Sequence, residues 1–285
     1  MWTVCVFLVA CAASAQTADD QSPSVQADPP KNIASSLDVQ DDDSSLRVQV
    51  KGLAIFLAPG GRFKFPGTSG TGEFIDVEAL NLDSPRLSPG IEIDASVEQW
   101  RIRASYISFD QSDQGAFSPT TRRVGDVDIT KGDGLVSSLS FDWGQVQVGR
   151  VVYERAVGKD SKFQITAGAG VRFYDVSATV DRVAGGRAAA DSTFVEPILG
   201  TESRFTYREA YTFRIAVDAG FSDWSDKTTQ SWSITLESSV ELYDRVSAQF
   251  GYRILTFDLE DGDGGSTFEY DGSLAGLYAA LSFTF

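Results

Sequence analysis

Charged side chains recur at alternate positions along this chain: Glu92 with Asp94, Arg101 with Arg103, Glu202 with Arg204, Glu237 with Glu241, and Arg172, Arg214, Asp218 and Arg253 in the same setting. Two carboxylates flanking a cleft are the machinery of glycoside hydrolysis, and Glu92 with Asp94, or Glu237 with Glu241, share a face. The chain has 285 residues and no histidine, which excludes Ser–His and Cys–His nucleophile systems. Each acid pair has arginines of the same face for partners, so mutual neutralisation is the stronger reading and no catalytic residue is assigned. Gly168 and Gly170 lie inside a strand pattern rather than before a helix, where a phosphate loop would need them. There they are expected to make room for bulky neighbours. The acidic run Asp258 to Glu269 fails as a calcium loop: with Glu269 twelfth, Gly262 falls on a ligand position and Asp263 on the glycine position. It reads as a flexible hairpin loop, and neither a metal nor a cofactor is expected.

The elements that must carry these side chains are strands. Ile91, Ile93, Ala95 and Val97 alternate with Glu92, Asp94, Ser96 and Glu98. The same period of two runs through 163–173, 211–221, 232–242, 246–254 and 277–285, and more weakly through 46–58, 100–110, 133–156 and 193–207. That makes ten strands, with eight as the alternative count. In 133–156 the apolar phase changes between Trp143 and Val146, which a bulge near Gly144 would reconcile. Expected connections alternate short (98–99, 157–161, 208–210, 243–245) with long (59–87, 111–132, 181–191, 225–230, 259–267). This is the rhythm of an up-and-down antiparallel meander. The two-residue turn at Glu98-Gln99 would set Asp94 opposite Arg103 as a cross-strand ion pair.

Ahead of the strands, residues 1–15 form an apolar run closing in Ala13-Ser14-Ala15, the small-x-small pattern of a cleaved export signal. The alternative is lipoprotein processing at Cys11. Both cysteines lie within the first eleven residues, so a mature exported chain would contain none. Residues 16–45 are rich in Asp, Ser, Gln and Pro and read as a disordered acidic segment, with residues 46–285 as one folded domain. The formal net charge of −16 argues against a nucleic-acid partner.

Whether the apolar face points inward or outward decides the class. Aromatic residues gather at strand ends by the short turns: Trp100, Tyr153, Phe163, Tyr207 and Tyr211, with Phe285 among them. They suit a girdle at a membrane interface. From residue 91 onward the bases on the polar face are all arginine, while lysines fall mainly in loops, Lys51 excepted. An enclosed lumen favours Arg because its planar guanidinium pairs bidentately with carboxylates. Glu92, Asp94, Arg101, Arg103, Arg172, Glu202, Arg204, Arg214, Asp218, Glu237, Glu241 and Arg253 are therefore expected to form a lumen ion-pair network.

The last strand places Leu277, Ala279, Leu281, Phe283 and Phe285 on one face and stops on the aromatic. This ending resembles the C-terminal signature of bacterial outer-membrane proteins, and residues 46–285 are similar in architecture to small Gram-negative outer-membrane β-barrels of the class that includes OmpA, OmpX and OmpW. The resemblance implies a closed all-β transmembrane barrel, with the N-terminal segment and the C-terminus in the periplasm. The implied partners are outer-membrane lipid and lipopolysaccharide, periplasmic chaperones and the barrel-assembly machinery, which would read 277–285. The resemblance gives two functional expectations. One is a non-enzymatic barrel whose extracellular loops bind a surface ligand or maintain the envelope; the other is a narrow porin-like channel.

Overall fold

Valine, isoleucine, threonine and aromatic residues at alternate positions favour strands because their side chains pack on a pleated surface. A computed structural model describes residues 46–68, 72–117, 121–262 and 266–285. The expected export signal and acidic segment lie outside the described residues, as does part of the acidic run at 258–269.

In chain order the strands are β1 (Arg47–Lys64), β2 (Ile75–Asp76), β3 (Arg86–Val97), β4 (Trp100–Ala116), β5 (Arg122–Val124), β6 (Val127–Ile129) and β7 (Gly134–Ala156). They continue as β8 (Ser161–Arg182), β9 (Arg187–Tyr207), β10 (Tyr211–Trp224), β11 (Lys227–Tyr243), β12 (Val246–Asp261) and β13 (Phe268–Thr284). Setting aside the short β2, β5 and β6, ten long strands pair antiparallel with their sequence neighbours, and β13 returns to pair with β1. The closing pair runs from Gln49 opposite Thr284 to Lys64 opposite Glu269. At its end the Phe285 N–H donates to the Val48 carbonyl at 2.8 Å, and the Val48 N–H donates to the Phe285 carbonyl at 3.2 Å.

Two of the connections expected to be long are tight. Between β8 and β9 only residues 183–186 intervene, and between β10 and β11 only 225–226. The reason is strand length. A membrane-crossing strand needs roughly 9–11 residues, whereas β7, β8 and β9 have 23, 22 and 21. The wall continues well beyond what a bilayer requires.

That excess explains the change of phase in the strands. On β7, Leu135, Leu139, Phe141 and Trp143 are buried, while Val146 and Val148 are exposed. No bulge lies at Gly144: it stands opposite Tyr106 on one side and Phe173 on the other, in unbroken ladders. The β7 irregularity is at Val151/Tyr153 instead. The same exchange recurs on β8, with Val171 and Phe173 exposed and then Tyr174, Val176 and Val180 buried, and on β12, with Phe250 exposed and Leu255, Phe257 and Leu259 buried. The wall therefore has two zones. Toward the short turns, apolar side chains such as Ile91, Ile102, Val148, Leu199, Phe213, Leu236, Leu277 and Leu281 are exposed on the outside. Toward the longer connections the interior is apolar, and the outer surface carries Asp110, Asp175, Asp258, Glu260 and Asp271. An apolar exterior spread over the barrel strands is far larger than water tolerates on a monomer. Hydrocarbon is its natural solvent, and pairing of β13 with β1 removes the free strand edge that lipid would penalise. The fold is a ten-stranded transmembrane β-barrel.

The apolar interior zone is capped by the connections themselves. Ile75, Val77, Leu80 and Leu82, from β2 and the turn of 3-10 helix Glu78–Leu80, are buried against Phe63, Phe65 and Phe109 in one core. The β5–β6 hairpin adds Val124 and Ile129. Phe63 stacks on Tyr270 with ring centroids 4.0 Å apart, and Phe141 on Phe257 at 4.9 Å. At the exit of the hairpin the Thr130 N–H donates to Asp133 at 2.9 Å, and Arg182 lies 3.7 Å away. The backbone hydrogen bond first, with the guanidinium behind it, holds the Asp133 carboxyl below the usual carboxylate range.

Candidate functional site: the charged lumen

Below the apolar zone the inward positions become charged, and side chains from opposite walls meet. Glu92 on β3 is buried among four cations: Lys51 of β1 at 2.8 Å, Arg253 of β12 at 3.0 Å, Arg214 of β10 at 3.6 Å and Arg103 of β4 at 3.7 Å. Asp94 does stand opposite Arg103, and the Nε–Oδ1 distance is 3.1 Å. The turn that fixes this register holds Glu98 at φ 50 without any glycine. Arg103 crosses the lumen to Glu202 on β9 at 2.6 Å, and Lys51 crosses to Glu237 on β11 at 3.4 Å. Glu237 also accepts from Arg214 at 3.0 Å and from the Tyr278 hydroxyl at 2.8 Å. Arg204 pairs with Glu202 at 2.9 Å, so one carboxylate serves three guanidiniums.

A second group sits higher in the lumen. Arg172 is wholly buried, donates to Gln145 at 3.0 Å and to Ser231 at 2.7 Å, and pairs with Asp218 and with Glu196 at 3.4 Å. Glu196 accepts from the Tyr174 hydroxyl at 2.6 Å, from Thr229 at 3.1 Å and from Ser231. Asp218 accepts from Ser233 at 2.7 Å. Between the two groups lies a cavity of about 30 Å³, lined by Arg103, Glu202, Arg214, Asp218 and Arg253 and by Gly149, Gly168 and Gly200. It has room for one or two waters. Arg253 bounds the polar zone, its guanidinium 5.4 Å from the Trp143 ring and 5.7 Å from the Tyr278 ring.

Two expected members of the network lie elsewhere. Glu241 is exposed at the short-turn mouth, apart from the cluster. Arg101 meets the Gln164 side-chain carbonyl at 3.0 Å rather than a carboxylate. Sequence reasoning missed Glu196, although it shares the inward phase of Glu202 and Arg204 on β9, and it set Lys51 aside as an exception when Lys51 is at the centre. Tyr278 was legible, because it lies on the face of the last strand opposite Leu277 and Leu281, whereas Tyr174 shares the inward phase of Arg172 but falls beyond the stretch 163–173 read as a strand. Gly168 and Gly170 do not make room for bulky side chains: a Cβ at either would run into the backbone of β7. Gly144, Gly251 and Gly272 are covered by rings, those of Phe173, Tyr278 and Tyr270.

At the short-turn end, Trp100, Tyr153, Tyr207 and Tyr211 are exposed on the outside and Phe163 is half-buried. Tyr153 and Phe163 meet edge to face at 6.3 Å, Tyr207 lies 6.5 Å from Tyr211, and Arg150 sits over Trp100. Leu277, Ala279, Leu281, Phe283 and Phe285 all face outward. Inside this end the lumen opens into a cavity of about 1120 Å³ whose floor is the lower charged group.

No family model and no curated protein matches the chain. Among solved structures it is similar to the outer membrane protease OmpT of Escherichia coli, at 11% identity and a TM-score of 0.43, over 84% of this chain and 97% of that one. Neisserial surface protein A matches at 13% identity and a TM-score of 0.29, over 84% and 97%. Ail, the attachment invasion locus protein of Yersinia pestis, matches at 8% identity and 0.33, over 84% and 99%. Each of these is an outer-membrane β-barrel; the barrel class of the present chain rests on its own closed ladder and apolar exterior.

Proposed function

We propose that this chain is an integral outer-membrane barrel without enzymatic activity, whose lumen is closed and whose long-loop end faces the exterior. The observation that carries this reading is that, above the open cavity at the short-turn end, the lumen is filled in two ways. Charged side chains bridge it from wall to wall in the lower half, and aromatic and aliphatic side chains under an inserted cap fill the upper half. A small barrel whose interior is occupied by side chains leaves no aqueous path. The girdle of Trp100, Tyr153, Phe163, Tyr207 and Tyr211 then lies at the periplasmic interface, the N-terminal segment and Phe285 are periplasmic, and 277–285 is the stretch read by the assembly machinery. The capped end, with its carboxylate-bearing outer surface, is the part exposed to lipopolysaccharide and to surface ligands. The channel alternative draws support from the open cavity at the short-turn end, but that cavity ends on the charged floor. Planar-bilayer recording on the refolded protein separates the two: no steady conductance is expected, and a large sustained opening overturns the closed-lumen reading.

A further inference from the structure

We propose that the open cavity at the short-turn end binds an oligoanion, a solute or polymer segment carrying two or more phosphate or carboxylate groups. The cavity of about 1120 Å³ has room for a small molecule. The chain carries a net charge of −16. Its short-turn cavity reverses that sign: apart from the floor residues Lys51, Asp94 and Glu237, its wall presents six basic side chains against three carboxylates.

Several of these cations are poorly neutralised. The Arg101 guanidinium donates to the neutral Gln164 amide at 3.0 Å and has no carboxylate in ion-pair reach among the described residues. Gln164 stands directly opposite Arg204 on the neighbouring strand, so the two arginines flank it on one wall. Arg204 shares its single carboxylate, Glu202, with Arg103 and Arg214. Arg47 and Lys159 at the rim make no ion pair among the described residues. Guanidiniums on a low-dielectric wall focus their field into the cavity and offer paired donors to phosphate or carboxylate oxygens.

The inference rests on the proposed orientation only for which compartment supplies the ligand. The test is calorimetric titration of the refolded barrel in nonionic detergent with pyrophosphate, and separately with citrate, to distinguish phosphate from carboxylate sources. Saturable binding with at least one probe, weakened by added salt, is expected. The double variant Arg101→Gln/Lys159→Gln should bind about tenfold more weakly. Arg62→Gln, on an exposed arginine at the other end, should bind as the parent does. Slower gel migration after boiling than before confirms that each variant is folded. Absence of saturable binding to both probes overturns the proposal, as does unchanged affinity in the double variant or equal loss in Arg62→Gln. A barrel that binds pyrophosphate yet conducts would refute the closed lumen alone, and one that neither binds nor conducts would refute this site alone.

Discussion

At the scale of single residues, Glu92 has the largest expected effect. It is buried with Lys51, Arg103, Arg214 and Arg253 all within 3.7 Å. Glu92→Gln leaves those four cations with one carboxylate fewer, and breaking a buried pair from one side costs about 3–5 kcal/mol. A loss of that order is expected in the unfolding free energy of the vesicle-embedded barrel, followed by tryptophan fluorescence in urea. Glu241→Gln, on the exposed mouth, should change it by less than about 0.5 kcal/mol. Sequence alone predicted both glutamates to be partners of lumen arginines and gave no means of telling them apart, because alternation reports a face and not a depth. Asp94 with Arg103 was legible for a different reason. A two-residue turn leaves a single register, and the pair follows from counting outward from Glu98-Gln99.

At the scale of the strand, the informative signal was the change of apolar phase within 133–156. In a sequence, an inserted residue and an exchange of solvents between the two faces leave the same trace, a shift of the pattern by one position. The ladders of β7 run unbroken through Gly144, so the exchange is the cause: β7 leaves lipid and becomes the wall of an apolar core. Strands read only as far as a membrane needs were therefore too short, and two of the connections too long. The glycines placed under rings make a further expectation at this scale. A Cβ on Gly251 of β12 would enter the Tyr278 ring, which in turn holds Glu237. Gly251→Ala should lower stability by about 1–3 kcal/mol, as overpacking does. Gly52→Ala, where an added methyl meets nothing within 4 Å, should leave the urea midpoint unchanged.

For the molecule as a whole, strand number and meander order were legible because antiparallel neighbours joined by short turns leave few alternatives. The cap was not. Its apolar residues, Ile75, Val77, Leu80 and Leu82 among them, are spread without period through connections rich in glycine and polar residues. Their burial depends on a core that the strands create only once they are closed. The two-zone design also separates tasks. The lower wall is set by lipid, with charge hidden inside, whereas the upper wall is organised as a water-soluble β-protein is, with its charge outside.

The reciprocal hydrogen bonds between Val48 and Phe285 make the chain, in effect, a ring with a single nick. Every long strand has two partners, although the upper ends of β4, beyond Ile107, and of β9, before Ile198, pair on one side only. Where the nick falls then matters for the order in which the strands are delivered, and hardly at all for the finished barrel. A circular permutant that links residue 285 to residue 46 through a short flexible bridge and begins instead at Asp226, in the tight turn between β10 and β11, should reach the same ladder and the same urea midpoint. If it assembles more slowly in vesicles while melting alike, the final strand serves insertion rather than stability.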